Sequence, residues 1–433
     1  MLFQNIAILK PDFTIAENQY LGTEADRITY IGSQMPPEPS RFGGRYKGQG
    51  KLLIPAFYNA HSHTPMAFLR GYAENMCLQD WLTKRIFPFE AQLQKEDIYY
   101  ATLLGAAEMA RYGIVSTSDM YFFGEQMVHA FLDSGLKANV AVSVTCMEER
   151  DFCTLPIYQE AKSLFADYHG AENGRIRIDL SLHAEYTNSE RIIRSLAEVN
   201  RAFGAVMHVH ISETQSEHEA CKARHNGMSP TQFLDACGIF DMPTLAAHCI
   251  WVEQADIDIL KKRGVSVATC PKSNLKLASG ICPVDKLLTQ GVNVALGTDS
   301  VASNNNLNML EELRFLALLH KGVNHDPLLI RPDQAVFAAT TAGAKAQGRP
   351  EQAVLACGEK ADILALDISG PAMHPVHNLL HNLVFSASGS DICLTMCEGK
   401  VIYADGDYKT IDIEHVLYEM KKSQNRILTA LAH

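Results

Sequence analysis

The sequence predicts an α/β protein: a parallel (β/α)8 TIM barrel carrying a small β-sandwich built from both ends of the chain. Two observations predict it. Between about residue 52 and about residue 345, apolar β-rich runs alternate with helical patterns. Outside that span, residues 1–51 and 346–433 hold short strands parted by turn residues, and neither segment alone is long enough for a stable core. The expected division is therefore a barrel over 52–345 and a composite β-sandwich from 1–51 and 346–433, ending in a C-terminal helix.

In chain order, "NIAIL" and "RITYIGS" open the sandwich. The barrel strands are expected in "LLIPAFYNAH", "IVSTSDMY", "KANVAVSVTC", "IRIDLSLHAE", "AVMHVHISE", "PTLAAHCIWV", "VSVATCPKS" and "VNVALGTDS". Between them, "IYYATLLGAAEMARYG", "SERIIRSLAEVNRAFG" and "EQADIDILKKRG" read as helices, each closing on a glycine as helix C-termini do. "ADILALD", "ICLTMCEG" and "KVIYADGDY" return the chain to the sandwich.

Chemistry in such a barrel sits at the C-terminal ends of the strands. Those ends carry metal-type ligands. "NAHSHTPMAFLRG" sets His61 and His63 two apart, and an extended chain projects both from one face. His183 ends the fourth strand, His210 followed by Glu213 the fifth, His248 the sixth and Asp299 the eighth. His208 shares a strand face with His210, and only the spacing to Glu213 favours His210 as the ligand. The stretch "HEACKARH" lacks the second histidine of H-E-x-x-H and reads as a solvated helix.

Composition narrows the class. With 433 residues, 47% hydrophobic and 20% charged, the chain reads as an ordinary soluble protein. Its net charge of -11 argues against a general nucleic-acid or anionic-membrane binder. The start "MLFQNIAILKPDF" has no basic n-region, and Lys10 and Asp12 interrupt its apolar run, so a secretory signal or membrane span is not expected there and a cytoplasmic location is. The 11 cysteines are odd in number and form no C-x-x-C, which excludes a zinc-ribbon or thioredoxin-like reading.

The stretches "IPAFYNAHSHTPMAFLRG", "DWL", "HVHISET", "AAHC", "PKSNLKLASGICPV", "GTDSVASNNNLNMLEELR" and "ADILALD" span nearly the whole chain. On them the sequence resembles the amidohydrolase superfamily, in the branch of S-adenosylhomocysteine/5'-methylthioadenosine deaminases, guanine deaminases and triazine chlorohydrolases. The resemblance implies that His61, His63, His210 and Asp299 bind one divalent metal, zinc first, with iron or manganese also suited to imidazole and carboxylate ligands. It places His248 beside the attacking water and gives Glu213 a proton-shuttling role, with Asp299 passing the water's proton on. Binuclear relatives bridge their metals with a carboxylated lysine. This chain has His183 at the end of strand 4, so one metal is expected.

The resemblance further implies a hydrolase of cyclic amidine C–N bonds that deaminates an adenine nucleoside, releasing ammonia and an inosine-type product. Ser303 and His183 would contact the purine, Glu74 would accept hydrogen bonds from ribose, and Trp81 would pack under the site. Relatives that take homocysteine nucleosides need arginine near strand 3; here Val142 stands in one such place, and Arg150 follows Glu148 and Glu149. That departure favours adenosine, 5'-deoxyadenosine or 5'-methylthioadenosine over S-adenosylhomocysteine, because a buried unpaired carboxylate is costly. A free aminopurine or pterin deaminase, or a triazine amino- or chlorohydrolase, is the alternative. A noncatalytic scaffold would be expected to have lost ligands, and this chain keeps them. A homo-oligomer is also implied by the resemblance.

Overall fold

The computed structural model describes residues 1–76, 78–349, 351 and 353–432. Eight parallel strands form the barrel: β1 Phe57–Ser62, β2 Ile114–Tyr121, β3 Lys137–Val144, β4 Leu180–Leu182, β5 Met207–Ile211, β6 Thr244–His248, β7 Ser266–Thr269 and β8 Asn293–Leu296. They pair in sequence order, and the ring closes through a parallel bridge between Ser62 and Asp299. At that seam Asn59 and Thr298 hydrogen-bond reciprocally, side chain to side chain at 2.7 Å and backbone N–H to Asn59 at 2.9 Å. Gly297 is required there: a Cβ on it would lie 2.8 Å from His61 Cβ and 2.9 Å from Cys270 Sγ.

Two expected strands prove divided. "LLIPAFYNAH" is split after Pro55, whose missing N–H cannot continue a ladder. Lys51–Pro55 joins the terminal sheet, and only Phe57–Ser62 enters the barrel. The fourth run breaks at buried Asp179, leaving Ile176–Ile178 paired to β3 ahead of β4. The helices follow the glycine signals. Glu190–Phe203 is capped by Ser189 and ends at Gly204 in the left-handed region, and Gln254–Arg263 ends likewise at Gly264.

The chain ends combine into one mixed sheet, with Lys51–Pro55 parallel to Leu2–Leu9 and antiparallel to Ile363–Asp367. Alternation sorts its side chains into two cores. Leu53, Ile363 and Ala365 pack with Phe3, Ile6, Leu21 and Met396, while Leu52, Ile54, Leu364 and Leu366 belong to the main core shared with the barrel. The C-terminal helix Ile413–Leu431 lies on helix Lys95–Arg111 and is tied by an Arg426–Asp97 ion pair.

Where the barrel's N-terminal end meets this sheet, Lys137 is fully buried at the start of β3. Its Nζ lies 2.6 Å from Asp362, 2.8 Å from Glu351 and 3.5 Å from Glu398, and donates to Tyr58 Oη at 3.1 Å. None of the described helices is long and apolar enough to cross a membrane.

Candidate metal centre and its cavity

At the opposite, C-terminal end of the strands, the barrel interior gathers imidazoles. The inward face of β1 carries Asn59 and then His61, and His63 follows just past the strand. His61 Nδ1 lies 2.8 Å from His208 Nε2, one layer below the cluster. His63 Nδ1 donates to the Met120 carbonyl at 2.6 Å, and His210 Nδ1 to the His183 carbonyl at 2.7 Å. Because both Nδ1 atoms face carbonyl acceptors, they hold the protons, and each neutral ring presents a bare lone pair at Nε2.

Those two Nε2 atoms lie 3.3 Å apart. Two lone pairs so placed repel unless a cation lies between or beside them. His61 Nε2, fully buried, has no hydrogen-bond partner, and it sits 3.5 Å from Asp299 Oδ1, as does His63 Nε2. The ligand atoms of His61, His63 and His210, and those of His61, His248 and Asp299, each lie within 4.8 Å of one another. Burial lowers His61 to about 4 and holds His210 well below the ordinary imidazole value, leaving neutral donors. Burial opposes the charge on Asp299, but the imidazoles of His61, His248 and His63 around it hold its carboxyl well below the usual range. Neutral imidazoles beside an ionised carboxylate, with an orphaned nitrogen among them, fit a divalent metal. His208, by contrast, spends its Nε2 on His61, which separates the two candidates on β5 by layer.

Other side chains fix this set. Asp299 Oδ2 accepts from Ser273 Oγ at 2.5 Å and Ser303 Oγ at 3.1 Å, and its Oδ1 accepts from the Ser300 N–H at 2.7 Å. His248 Nδ1 lies 2.9 Å from Asn274 Oδ1, turning Nε2 toward Glu213 Oε2 at 3.8 Å. Burial works against a charged His248, and the carboxylates of Glu213 and Asp299 more than offset it, raising its pKa. Burial likewise raises Glu213, against the opposing charge of His248. Ser212, His248, Cys249 and Asp299 all have φ between +49° and +68°, so the ends of β5, β6 and β8 each carry left-handed backbone beside the site.

The set floors a cavity of about 600 Å³. His63, His210, His248, Asp299 and Glu213 line it together with His183, Ser303 and Trp81. Two residues singled out in the sequence lie elsewhere. Glu74 lies outside the lining, exposed at the rim, where it pairs with Lys276 at 2.9 Å and Asn305 at 3.3 Å. Arg150 also lies outside it, on an exposed loop beyond β3, bound to Glu148 at 3.3 Å and the Thr154 carbonyl. The carboxylate that does face the cavity from the segment after β1 is Glu90, which accepts from Tyr121 Oη at 2.5 Å. Nothing in the pattern "FPFEAQL" singles it out.

The helix Gln215–Arg224, expected to be solvated, instead buries Glu217, His218 and Cys221. Glu217 accepts from the backbone N–H groups of Ser212 at 2.9 Å, Glu213 at 2.8 Å and Thr214 at 3.4 Å. It clamps the turn that aims Glu213. Glu217→Ala should therefore lower kcat by roughly tenfold or more with metal content retained, since small displacements of a reacting group are costly. An unchanged kcat in the metal-replete variant would remove this role.

The amidohydrolase family profile matches residues 52–402. A 5-methylthioadenosine/S-adenosylhomocysteine deaminase of Dictyoglomus thermophilum is 39% identical over 422 residues, covering 98% of this chain and 97% of the relative. A 5'-deoxyadenosine deaminase of Methanosarcina mazei is 39% identical over 425 residues, covering 98% and 96%. Among solved structures, a zinc-bound adenosine deaminase of Xanthomonas campestris superposes with a TM-score of 0.91 at 27% identity, covering 99% of this chain and 98% of that one.

Proposed function

Because the chain belongs to the amidohydrolase family, we propose that it is a metal-dependent deaminase of adenine nucleosides, hydrolysing the exocyclic C6–N bond to give ammonia and an inosine-type product. The observation that carries this reading is Glu213, a buried carboxyl with a raised pKa, facing His248 across the wall of a cavity floored by neutral imidazoles and Asp299. His61, His63, His210 and Asp299 would hold one divalent ion, zinc being the ion bound in the solved relative. Such an ion supplies a Lewis acid that brings the pKa of water near neutrality.

The chain's own groups do the rest. Glu213, carrying a proton, donates it to the ring nitrogen next to C6, which makes that carbon electrophilic. His248, fixed by Asn274, orients the attacking water. Asp299 takes that water's proton and passes it to the amine; as the C6–N bond breaks and ammonia leaves, the C6 hydroxyl becomes the carbonyl and returns a proton to Glu213. Ser303 and His183 face the purine, Trp81 packs at the wall, and Glu90 receives the ribose hydroxyls in place of Glu74.

Ammonia release from metal-analysed protein, measured across adenine nucleosides, free aminopurines, pterins and triazines, tests this reading. Adenine nucleosides should give the highest kcat/KM; a free base or triazine in that place would overturn it. The ribose assignment has its own check. Glu90→Gln should erase about 1.5–3 kcal/mol of the preference for adenosine over adenine, the worth of a hydrogen bond to a charged group. Glu74→Ala should leave that preference within twofold, and the reverse pattern would restore Glu74.

A further inference from the structure

The stretch "HEACKARH" is left over by the reaction, yet its second half carries metal-type donors. Cys221 and His225 stand four apart, and the His225 N–H bonds the Cys221 carbonyl at 2.9 Å, so the helical ladder presents both side chains on one face. Glu185, from the turn Glu185–Thr187 that follows β4, meets them there. Its Oε1 lies 2.7 Å from His225 Nε2, and the thiol, imidazole and carboxylate atoms all lie within 4.8 Å of one another. Glu185 and Cys221 are buried, while His225 keeps an edge in solvent. None of the three lines the catalytic cavity.

One sulfur, one imidazole and one carboxylate suit a borderline-soft divalent ion. A tetrahedral zinc with bonds of about 2.0–2.3 Å holds its donors about 3.3–3.6 Å apart. The His225–Glu185 pair therefore has to open by about 0.7 Å, within the reach of small side-chain rotations. Arg224 pairs with the same carboxylate, but its side chain is 43% exposed and returns to water once an ion supplies the charge. Burial and the Glu185 carboxylate push the Cys221 thiol up, so without an ion it keeps its proton. A coordinating ion displaces that proton.

We infer that Glu185, Cys221 and His225 form a second divalent-metal site, for zinc or an ion like it, that clips the turn after β4 to helix Gln215–Arg224. Both clipped elements support the catalytic wall. The His183 carbonyl, two residues before Glu185, holds His210, and Glu217, one turn before Cys221, clamps the turn that aims Glu213. The ion ties these supports together and takes no part in the reaction, so the assignment holds whatever substrate the cavity accepts.

Cobalt(II) is the probe, because a thiolate bound to it absorbs in the near ultraviolet, and His61, His63, His210 and Asp299 offer no sulfur. Protein already holding its catalytic ion should take up one further cobalt per chain and develop the sulfur band, and zinc should compete the band away. Cys221→Ser should abolish both band and uptake with its circular dichroism unchanged, and Glu185→Gln should weaken the uptake at least tenfold. Added zinc should raise the Tm of wild type and leave that of Cys221→Ser unmoved. Cys153→Ser combined with Cys357→Ser, which removes the exposed thiols among the described residues, should leave the band intact. If Cys221→Ser does not fold, the Glu185→Gln titration decides alone. Absence of the band, its survival in Cys221→Ser, its loss with Cys153 and Cys357, or unweakened uptake by Glu185→Gln overturns the inference and leaves the deaminase reading standing.

Discussion

Replacing Glu213 by glutamine should lower kcat at least a hundredfold while the protein keeps its metal and its fold. The amide matches the carboxyl in shape but has no acidic proton for the ring nitrogen, and general-acid steps of this kind contribute about 10²–10⁴-fold. Glu213 is not among the grouped ligand atoms, so metal analysis should read the same for variant and wild type. KM should change little, because the interaction that is lost strengthens on the way to the transition state. Turnover within a few-fold of wild type would take Glu213 out of the mechanism. A metal-free variant would instead make it a ligand.

Lys137→Met should destabilise the protein by about 3–5 kcal/mol, the cost of removing one partner from a buried ionic cluster. The methionine fills the space but leaves Asp362, Glu351 and Glu398 without the ammonium at 2.6–3.5 Å that they now share. Burial would raise Glu351, but Lys137 outweighs it and holds the carboxyl at about 2. That value lies below the roughly 4.3 of a free glutamate. Its contribution is therefore complete above pH ~4.3 and is lost as pH falls toward 2. Urea unfolding at neutral pH is the measurement. A midpoint equal to wild type would mean that the cluster tolerates loss of its cation, and kcat per folded molecule should not change, since Lys137 begins β3 at the end away from the site.

The strand ends were readable for a geometric reason. Alternation puts His61 with His63 and His208 with His210 on common faces, and a barrel delivers strand ends to one place. The family profile and the zinc-bound structural relative support the fold and the metal-dependent class on which that reading rested. The choice between Glu74 and Glu90 was not readable. Both lie in the segment after β1, where short helical turns such as the π-turn Leu82–Ile86 follow one another with no single period, and only the path in space decides which carboxylate meets the cavity. The place of Arg150 was no more readable, since a loop's side chains choose among local partners that spacing does not rank. Lys137 looked like an ordinary strand-opening lysine because its partners Glu351 and Asp362 lie 214 and 225 positions downstream. Pro55 did announce a break within the first apolar run, and the run's unbroken hydrophobicity masked it.

The seam between β1 and β8 also orders events during synthesis. Ser62 and Asp299, which close the ring, are 237 positions apart, so the ribosome delivers the first histidines long before their carboxylate. At about 5–20 residues per second, that interval is on the order of tens of seconds. Throughout it the nascent chain carries His61 and His63 without Asp299 and cannot assemble the complete donor set. Strand Lys51–Pro55 waits longer still for Ile363–Asp367. The first and last barrel strands thus meet only after all eight have been made, so the complete donor set forms only on a whole barrel.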